Sequence, residues 1–433
     1  MNWSQLLNAD RRRPTTSRGD HRLQFERDLD RAVFSTPVKR LADKAQVFPL
    51  EPNDAIRNRL THSMEVSSVA RGLATRIAKW LLDEKKIDAG MDRSIEAIAA
   101  TCGLIHDLGN PPFGHAGEEA MRSWFARDAM KPTLALLGDE QMRQDFLRFE
   151  GNAQSLRLVA TLQVLADYTG LNLTYGTLSA LMKYVAPSAK ASKKVANRAW
   201  RKPGYFASEN EVVAKVRYET GTGEARNPIC FLVEAADDIV YLAADVEDGV
   251  KKGVMSWREV EDRLNGSSGP SINTSLEAMN HILKAGSPEV RPGLEDDTYA
   301  SAFRTAAIGV MVESASKTFQ RRYQEIMDGN YENSLLKDSE AQDLEKALRS
   351  LGEERVYQTA STLKLELLGR RVIWDLMDIF WEGAQVLPVD GAPDAFSFAG
   401  KSAALFSSNY RRVFQHFVAV CLIRFGGRFS YAA

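Results

Sequence analysis

Residues 105–119 read IHDLGNPPFGHAGEE, and this stretch decides how the chain around it folds. An apolar run precedes it and a second helix-like run follows it. The Gly, Asn and Pro residues at its centre prevent one continuous helix, because proline lacks a backbone donor and clashes with the preceding turn. Two histidines, an aspartate and two glutamates therefore lie on the two sides of a tight turn. The stretch predicts two helices whose ends bring these ionisable side chains together.

Helical periodicity continues on both sides of this turn, and strand signals are few and short. Helices are predicted over 62–86, 94–107, 115–128, 151–167, 177–184, 228–253 and 296–327. Breaks rich in Gly, Pro and Ser occur at 108–114, 186–206, 220–228, 266–273 and 286–295. The sequence contains no internal repeat and no flexible linker. We therefore predict a mainly α fold in which residues 1–433 form a single large helical body.

The composition is that of a soluble globular protein, with 44% hydrophobic and 26% charged residues among 433. No apolar run approaches the roughly 18 residues that a membrane span needs. The N-terminus MNWSQLLNADRRR lacks the apolar region of a secretory signal. Cys102, Cys230 and Cys421 stand far apart, which argues against a disulfide framework and against a thiolate zinc site. These features predict a cytoplasmic protein with no membrane contact.

The net charge of −1 argues against a protein that coats nucleic acid, but two segments concentrate positive charge. They are RRRPTTSRGDHR (11–22) and KASKKVANRAWRK (190–202). One interpretation is that each is a solvated or disordered arm. The other is that they form an electrostatic collar for a polyanionic ligand.

Histidine and aspartate residues form a candidate metal site. His106 and Asp107 end an apolar, buried helix, and His62 lies at the start of an earlier one. Asp237 and Asp238 lie inside an apolar run, where unpaired carboxylates are costly. Imidazole and carboxylate ligands together suit Mn, Fe, Co, Ni or Zn, and Mg when carboxylates dominate. Taken alone, the His–Asp pair is also compatible with a simple hydrogen bond at a helix end.

The pattern H…HD…D resembles that of the HD-domain phosphohydrolases, and the surrounding segments resemble the deoxynucleoside triphosphate (dNTP) triphosphohydrolases, the dGTPase branch in particular. The matching segments, in family order over about residues 25–250, are FERDLDRAVFSTPVKRL, KAQVFPLEPNDAIRNRLTHSMEV, GLIHDLGNPPFGHAGEEA, FEGNAQSLR, LMKY, KPGYF and PICFLVEAADDIVYLAADVED. The resemblance implies an HD-domain helical fold with additional helical insertions. The HD core would span approximately residues 55–255, followed by a helical C-terminal part over 256–433.

The resemblance assigns roles to the residues of this candidate site. The implied metal ligands are His62, His106, Asp107 and Asp237. Asp237 is preferred over Asp238 because the family's ligand lies four residues before a tyrosine, here Tyr241. By resemblance, Tyr241 and Asp245 contact the deoxyribose. Helical spacing places Asp237, Tyr241 and Asp245 on one face, in agreement with this assignment.

His115 and Glu118 form a candidate catalytic pair. They lie three residues apart on the helix after the turn, so they share a side of that helix. Glu118 can fix the imidazole tautomer and leave the other ring nitrogen for proton transfer. The resemblance implies a catalytic role for this pair, and the alternative is that His115 only caps its helix.

The resemblance also implies residues that bind the substrate. Arg59 and Lys183 match phosphate-binding positions, Tyr184 lies beside Lys183, and Gln46 matches a glutamine of the nucleoside pocket. A triphosphate carries about four negative charges and needs cations around it. Each of these residues is also compatible with a plain surface position.

The implied reaction is metal-dependent hydrolysis of dNTPs, with dGTP as the expected substrate, to a deoxynucleoside and inorganic triphosphate. The cofactor would be a divalent ion such as Mn²⁺, Mg²⁺, Fe²⁺, Co²⁺ or Ni²⁺. By resemblance the protein would form a homo-oligomer, often a hexamer, with single-stranded DNA or a nucleotide as a candidate effector. Two alternatives remain: another HD phosphohydrolase, such as a nucleotidase or alarmone hydrolase, or a non-catalytic member that binds nucleotides or single-stranded nucleic acid.

The C-terminus departs from the family pattern. Family members end with a segment like DYISGMTD, which helps to build the base pocket, whereas this chain has SNYRRVFQHF (408–417) followed by VAVCLIRFGGRFSYAA. The sequence therefore leaves the base preference open.

Overall fold

The computed structural model describes residues 1–15, 20–163, 167–267, 269–285, 293–387 and 394–414. The structure is 67% helical and 2% strand, which confirms the predicted mainly α fold. The helices are α1 (Trp3–Leu6), α2 (Gln24–Val33), α3 (Thr36–Arg40), α4 (Arg59–Asp83), α5 (Met91–Ile105), α6 (Gly114–Phe125), α7 (Lys131–Ala135), α8 (Glu140–Leu147), α9 (Gly151–Arg157), α10 (Tyr175–Leu181), α11 (Asn210–Thr220), α12 (Pro228–Lys251), α13 (Trp257–Ser267), α14 (Pro270–Ala285), α15 (Glu295–Arg321), α16 (Tyr323–Met327), α17 (Gln342–Leu351), α18 (Ala360–Gln385) and α19 (Phe398–Leu405). None of these helices is long and apolar enough to cross a lipid bilayer.

Two short strands and several tight helical turns complete the described structure. Strands β1 (Ala186–Pro187) and β2 (Pro203–Tyr205) pair in parallel and close the base of the segment between them. The 3₁₀ turns are Leu41–Asp43, Asp128–Met130, Arg198–Trp200 and Ala207–Glu209, and the π turns are Leu158–Leu162 and Gly352–Val356.

The core forms where α4 and α5 pack against each other and α12 packs against both, with α15 on its outer side. Apolar side chains at helical spacing on α4 are buried in this core, among them Val66, Leu73 and Ile77. The close approach of α4 and α5 requires a glycine, because a Cβ on Gly103 would lie 2.8 Å from the Cα of Ser67. This packing holds the start of α4 beside the end of α5.

The turn between α5 and α6 has the geometry that its sequence predicts. Helix α5 ends at Ile105 and α6 begins at Gly114. Phe113 and Gly114 both have positive φ angles, 62° and 53°, which reverse the chain before α6. The Phe113 ring packs so closely on α18 that a Cβ on Gly369 would lie 2.5 Å from it. The turn is therefore held from outside by the C-terminal part of the chain.

Several helix ends differ from the predicted ones. Helix α4 begins at Arg59, three residues early, because the Asn58 side chain accepts a hydrogen bond from the Thr61 backbone N–H at 3.0 Å and caps it. Helix α10 ends at Leu181, so Lys183 lies after the helix instead of within it. The predicted helix 296–327 is interrupted at Arg322, whose side chain binds Asp338 instead of continuing the helical surface. The predicted helix 151–167 becomes a π turn after its first two turns, and residues 164–166 lie outside the described ranges.

Candidate metal centre and catalytic cavity

Four predicted metal ligands, from α4, from the residues just after α5 and from α12, lie close together. The Oδ1 atom of Asp237, on α12, lies 3.4 Å from His62 Nε2 and 3.4 Å from His106 Nε2. Asp107 Oδ1 lies 3.6 Å from the same nitrogen of His106. His62, His106 and Asp107 each offer a ligand atom within 4.8 Å of the other two. Two imidazoles and two carboxylates therefore surround a space that a divalent ion fits.

The orientation of His106 supports this fit. Its Nδ1 lies 2.7 Å from the carbonyl oxygen of Gly103, to which it donates a hydrogen bond. Its Nε2 is buried and makes no hydrogen bond, which directs that lone pair into the cluster. Burial lowers the pKa of His106, but Asp107 and Asp237 raise it to about 9. The two carboxylates thus favour a positive charge beside His106 Nε2. A bound metal ion would supply that charge and leave the imidazole neutral.

Two cations bind the outer oxygens of the carboxylates. Lys183 Nζ lies 3.1 Å from Asp237 Oδ2, and Arg59 forms an ion pair with Asp107 Oδ2. Burial raises the pKa of Asp237, but Lys183 and His106 hold it well below its usual range. Burial lowers the pKa of Lys183, and Asp237 more than reverses that effect. Each cation therefore stabilises the ionised form of its carboxylate, and both cations are held at the edge of the candidate metal centre.

His115 and Glu118 form the predicted hydrogen bond on α6. His115 Nδ1 lies 3.1 Å from Glu118 Oε2, which leaves Nε2 of the imidazole unengaged by this pair. The Glu118 carboxylate is buried and also accepts from the backbone N–H of Gly151 at 2.8 Å and from Arg122 at 3.1 Å. Burial raises the pKa of Glu118, but His115 and Lys202 lower it below its usual value. The carboxylate is therefore a fixed, ionised acceptor for the imidazole.

One cavity of about 580 Å³ extends from the candidate metal ligands to the His115 side chain. Nine residues that the sequence singled out line it: Gln46, Arg59, His106, Asp107, His115, Lys183, Tyr184, Asp237 and Tyr241. His62 and Glu118 are buried just behind its wall, where they contact Asp237 and His115 respectively. Candidate residues from before and after the turn at 108–113 thus line, or lie directly behind the wall of, one cavity.

Asp245 does not line this cavity. It is almost fully buried, and its Oδ2 accepts a hydrogen bond of 2.7 Å from the hydroxyl of Tyr357. The Tyr357 ring stacks on Tyr241, with 5.7 Å between centroids and 18° between planes. Burial raises the pKa of Asp245 to about 8, although the Tyr357 hydrogen bond opposes this. Asp245 shares a helix face with Tyr241, as predicted, but Tyr357 separates it from the cavity.

Several cavity residues escaped the sequence analysis. Arg349, Tyr357, Thr362 and Glu366 come from α17, α18 and the turn between them, a region in which no family segment was assigned. Asp238 lines the cavity beside the metal ligand, and burial raises its pKa to about 6. Asn110, Glu150, Asn152, Arg198 and Lys202 also line the cavity. Arg198 and Lys202 belong to the basic segment 190–202, which the sequence marked as a candidate collar for a polyanionic ligand.

Residues 59–154 match the HD domain family, so the fold and the histidine–aspartate cluster define an HD-domain protein. A deoxyguanosinetriphosphate triphosphohydrolase-like protein of Listeria innocua is 37% identical over 395 residues, which cover 88% of this chain and 83% of the relative. The deoxyguanosinetriphosphate triphosphohydrolases of Yersinia enterocolitica and Serratia proteamaculans are each 34% identical, covering 82% of this chain and 76% of each relative. The chain belongs to the deoxyguanosinetriphosphate triphosphohydrolase family.

Proposed function

We propose that this protein hydrolyses deoxynucleoside triphosphates, dGTP first among them, to a deoxynucleoside and inorganic triphosphate. The observation that carries the proposal is a single cavity lined both by His106, Asp107 and Asp237, three of the candidate metal ligands, and by His115, which is hydrogen-bonded to Glu118. Membership of the dGTP triphosphohydrolase family supports the reaction class.

The metal ligands in this proposal are His62, His106, Asp107 and Asp237. A divalent ion held by them would neutralise charge at the α-phosphate and lower the pKa of water. The mixed set of imidazole and carboxylate ligands suits Mn²⁺, Fe²⁺, Co²⁺ or Ni²⁺, and with its two carboxylates it also tolerates Mg²⁺.

The cavity offers five cationic side chains for a triphosphate, alongside six carboxylates. Its cationic side chains are Arg59, Lys183, Arg198, Lys202 and Arg349. A triphosphate brings about four negative charges, which charge-assisted hydrogen bonds from such side chains stabilise. Arg59 and Lys183 contact the candidate metal ligands Asp107 and Asp237, so they would orient the phosphate that reacts there.

The His115–Glu118 pair handles the proton. Water attacks the α-phosphorus, the bond from phosphorus to the 5′ oxygen breaks, and His115 Nε2 donates a proton to that departing oxygen. Glu118 holds Nδ1 and stabilises the protonated imidazole. An alkoxide is a poor leaving group, which is why an acid is needed at this position. An alternative role for His115 in the same geometry is to position the attacking water.

The sugar site would lie on the stacked pair Tyr241 and Tyr357. A ring packed under C2′ leaves no room for a 2′-hydroxyl, and the hydrogen bond from Tyr357 to Asp245 keeps the pair in place. Gln46 on the cavity wall supplies a polar contact for the nucleoside. The preference for guanine rests on the names of the relatives, because residues 415–433 lie outside the described ranges.

The test is to incubate the protein with each dNTP and either Mn²⁺ or Mg²⁺ and to identify the products. Inorganic triphosphate together with a free deoxynucleoside supports the proposal. Orthophosphate or pyrophosphate as the first product would instead indicate a nucleotidase or another HD phosphohydrolase. Binding without loss of any dNTP would indicate a non-catalytic member.

Assembly and location are part of the same proposal. By family resemblance we propose a homo-oligomer, with a hexamer as the expected form, in the cytoplasm. Light scattering tests the oligomer, and added nucleotides or single-stranded DNA test for an effector. A monomer at the protein's working concentration would contradict the oligomer.

A further inference from the structure

The two basic segments of the sequence have different surroundings in the structure. In the first segment, Arg11 pairs with Asp28 at 2.5 Å, Arg13 with Asp167 at 2.7 Å and Arg22 with Asp20 at 2.9 Å. Arg12 donates to the carbonyl oxygen of Ala160 at 2.5 Å. Arg11, Arg12 and Arg13 thus hold the N-terminal chain to the helical body, and Arg22 pairs within its own segment. All four of these described arginines already have partners.

The second segment lies in a long stretch without acidic residues. Between Asp167 and Glu209 the sequence has seven lysines and arginines and no carboxylate side chain. Three of the seven, Lys183, Arg198 and Lys202, line the cavity. The other four are Lys190, Lys193, Lys194 and Arg201, which are exposed and which we name the basic rim.

The rim carries unpaired charge next to the cavity. Among the described residues, no carboxylate lies within ion-pair distance of Lys190, Lys193 or Lys194. Lys202, in contrast, pairs with Glu150 at 3.2 Å. Lys194 is four residues from Arg198, so their Cα atoms are at most about 15 Å apart. Lys190 is six residues from the cavity residue Tyr184, so the Cα atoms of these two residues are at most about 23 Å apart.

The loop that carries the rim is anchored to the helical body. Its base is closed by the pairing of β1 with β2. Arg148 donates to the carbonyl oxygens of Ser188 and Ala191 at 3.2 and 2.6 Å, and the Ser188 hydroxyl donates to Asp145 at 2.5 Å. The backbone of this loop is therefore fixed to the helical body, and the same loop carries the cavity residues Arg198 and Lys202.

We propose that the basic rim draws nucleoside triphosphates toward the cavity by long-range attraction, without an ordered contact in the bound complex. This inference rests on the proposed function for the identity of the ligand. Charges of one sign around a cleft raise the local concentration of an oppositely charged substrate and its rate of association. The segment 188–202 offers one aromatic residue, Trp200, which is half-buried, so it lacks the exposed rings on which single-stranded nucleic acid stacks.

Salt dependence separates attraction at a distance from direct contact. With lysines about 20 Å from four phosphate charges, removing three should weaken capture by about tenfold at 0.01 M ionic strength and by less than about twofold at 1 M. The turnover number kcat should stay unchanged, because the bound complex does not involve the rim.

The test compares the triple variant Lys190→Gln, Lys193→Gln, Lys194→Gln with the wild type at both salt concentrations. The control is Arg76→Gln, Lys79→Gln, Lys85→Gln, which makes the same charge change on exposed residues. The control positions lie about 25 Å or more along α4 and beyond from Arg59. The readouts are kcat/KM and kcat for dGTP, and the affinity for inorganic triphosphate by calorimetry in the presence of the same divalent ion.

A loss of kcat/KM and of triphosphate affinity in the rim variant that disappears at high salt, with little change in the control, supports the inference. An equal loss at both salt concentrations would indicate direct contact and would overturn it. No loss at low salt, or the same loss in the control, would also overturn it. Loss of oligothymidylate binding by the rim variant, together with unchanged binding of inorganic triphosphate, would overturn the inference as well. If the wild type hydrolyses no dNTP, the proposed function fails, and the triphosphate affinities still test the rim.

Discussion

His115 Nδ1 lies 3.1 Å from Glu118 Oε2, with the imidazole on the cavity side and the carboxylate buried behind it. The side chain of His115 is 84% exposed and that of Glu118 only 3%. Glu118 cannot reach a substrate from this position, so its influence on the reaction passes through His115. The contribution of Glu118 can therefore be tested by a substitution that leaves the His115 imidazole in place.

Replacement Glu118→Gln should lower kcat by about 100-fold or more with little change in KM, because general acid–base catalysis contributes about 10² to 10⁴-fold. The amide can no longer stabilise the protonated imidazole, whereas metal binding should persist. Steady-state kinetics and a metal titration provide the measurements. The matched control is Glu119→Gln on the exposed side of the same helix, which should behave as wild type. Equal kinetics for the two variants would remove Glu118 from the account.

Replacement His106→Ala should abolish metal binding together with dNTP hydrolysis. His106 supplies the buried Nε2 that faces Asp107 and Asp237, and alanine leaves these carboxylates without that ligand. Metal content by mass spectrometry and calorimetric titration with Mn²⁺ measure the effect independently of turnover. His281→Ala, at an exposed position on α14, is the control. Metal binding of wild-type affinity in the His106 variant would show that the ion binds elsewhere.

Replacement Tyr357→Phe should lower the free energy of unfolding by about 1–3 kcal/mol, the usual cost of leaving a buried polar group without its hydrogen bond. The ring and its stacking on Tyr241 remain, and only the donor to Asp245 is lost. Denaturant unfolding measures the change. Tyr218→Phe, at an exposed residue, is expected to have almost no effect. If the two variants are equally stable, the Tyr357–Asp245 hydrogen bond contributes no net stability.

The raised pKa of Asp245, about 8, makes stability depend on pH. An unfolded aspartate titrates near pH 4, so between about pH 4 and 8 the folded state binds more protons than the unfolded one. This contribution is fully present below pH 4 and is lost as the pH rises through 8. The variant Asp245→Asn keeps an acceptor for Tyr357 but cannot titrate. Between pH 4 and 8 its free energy of unfolding should therefore fall by at least about 1.4 kcal/mol less than that of the wild type. Parallel stability curves for the two proteins would contradict the raised pKa.

The sequence predicted the parts of the site that local pattern determines. The turn at 108–113, the buried helix before it and the i, i+3 spacing of His115 and Glu118 follow from proline chemistry and helical periodicity. The resemblance to a known family supplied the choice of Asp237, since either aspartate of the pair satisfies the apolar pattern. Geometry places Asp237, and not Asp238, against both imidazoles.

The remaining parts of the site depend on contacts between distant segments. Tyr357 and Arg349 reach the cavity only because α17 and the turn after it pack against α12, and no local pattern reports such a contact. For the same reason the helical spacing of Asp245 predicted its face of α12 but not the tyrosine that covers it. The break at Arg322 also lacks a Gly or Pro signal, and there the Arg322 side chain donates to Asp338, sixteen residues further along the chain.

The most direct test of the central claim is hydrolysis of dGTP in ¹⁸O-labelled water with Mn²⁺, with mass spectrometry of the products. Attack of water on the α-phosphorus predicts inorganic triphosphate that carries one ¹⁸O atom, together with unlabelled deoxyguanosine. Labelled deoxyguanosine would show that the bond from carbon to oxygen breaks. Labelled orthophosphate or pyrophosphate as the first product would place the reaction at another phosphorus, and either result would contradict the account.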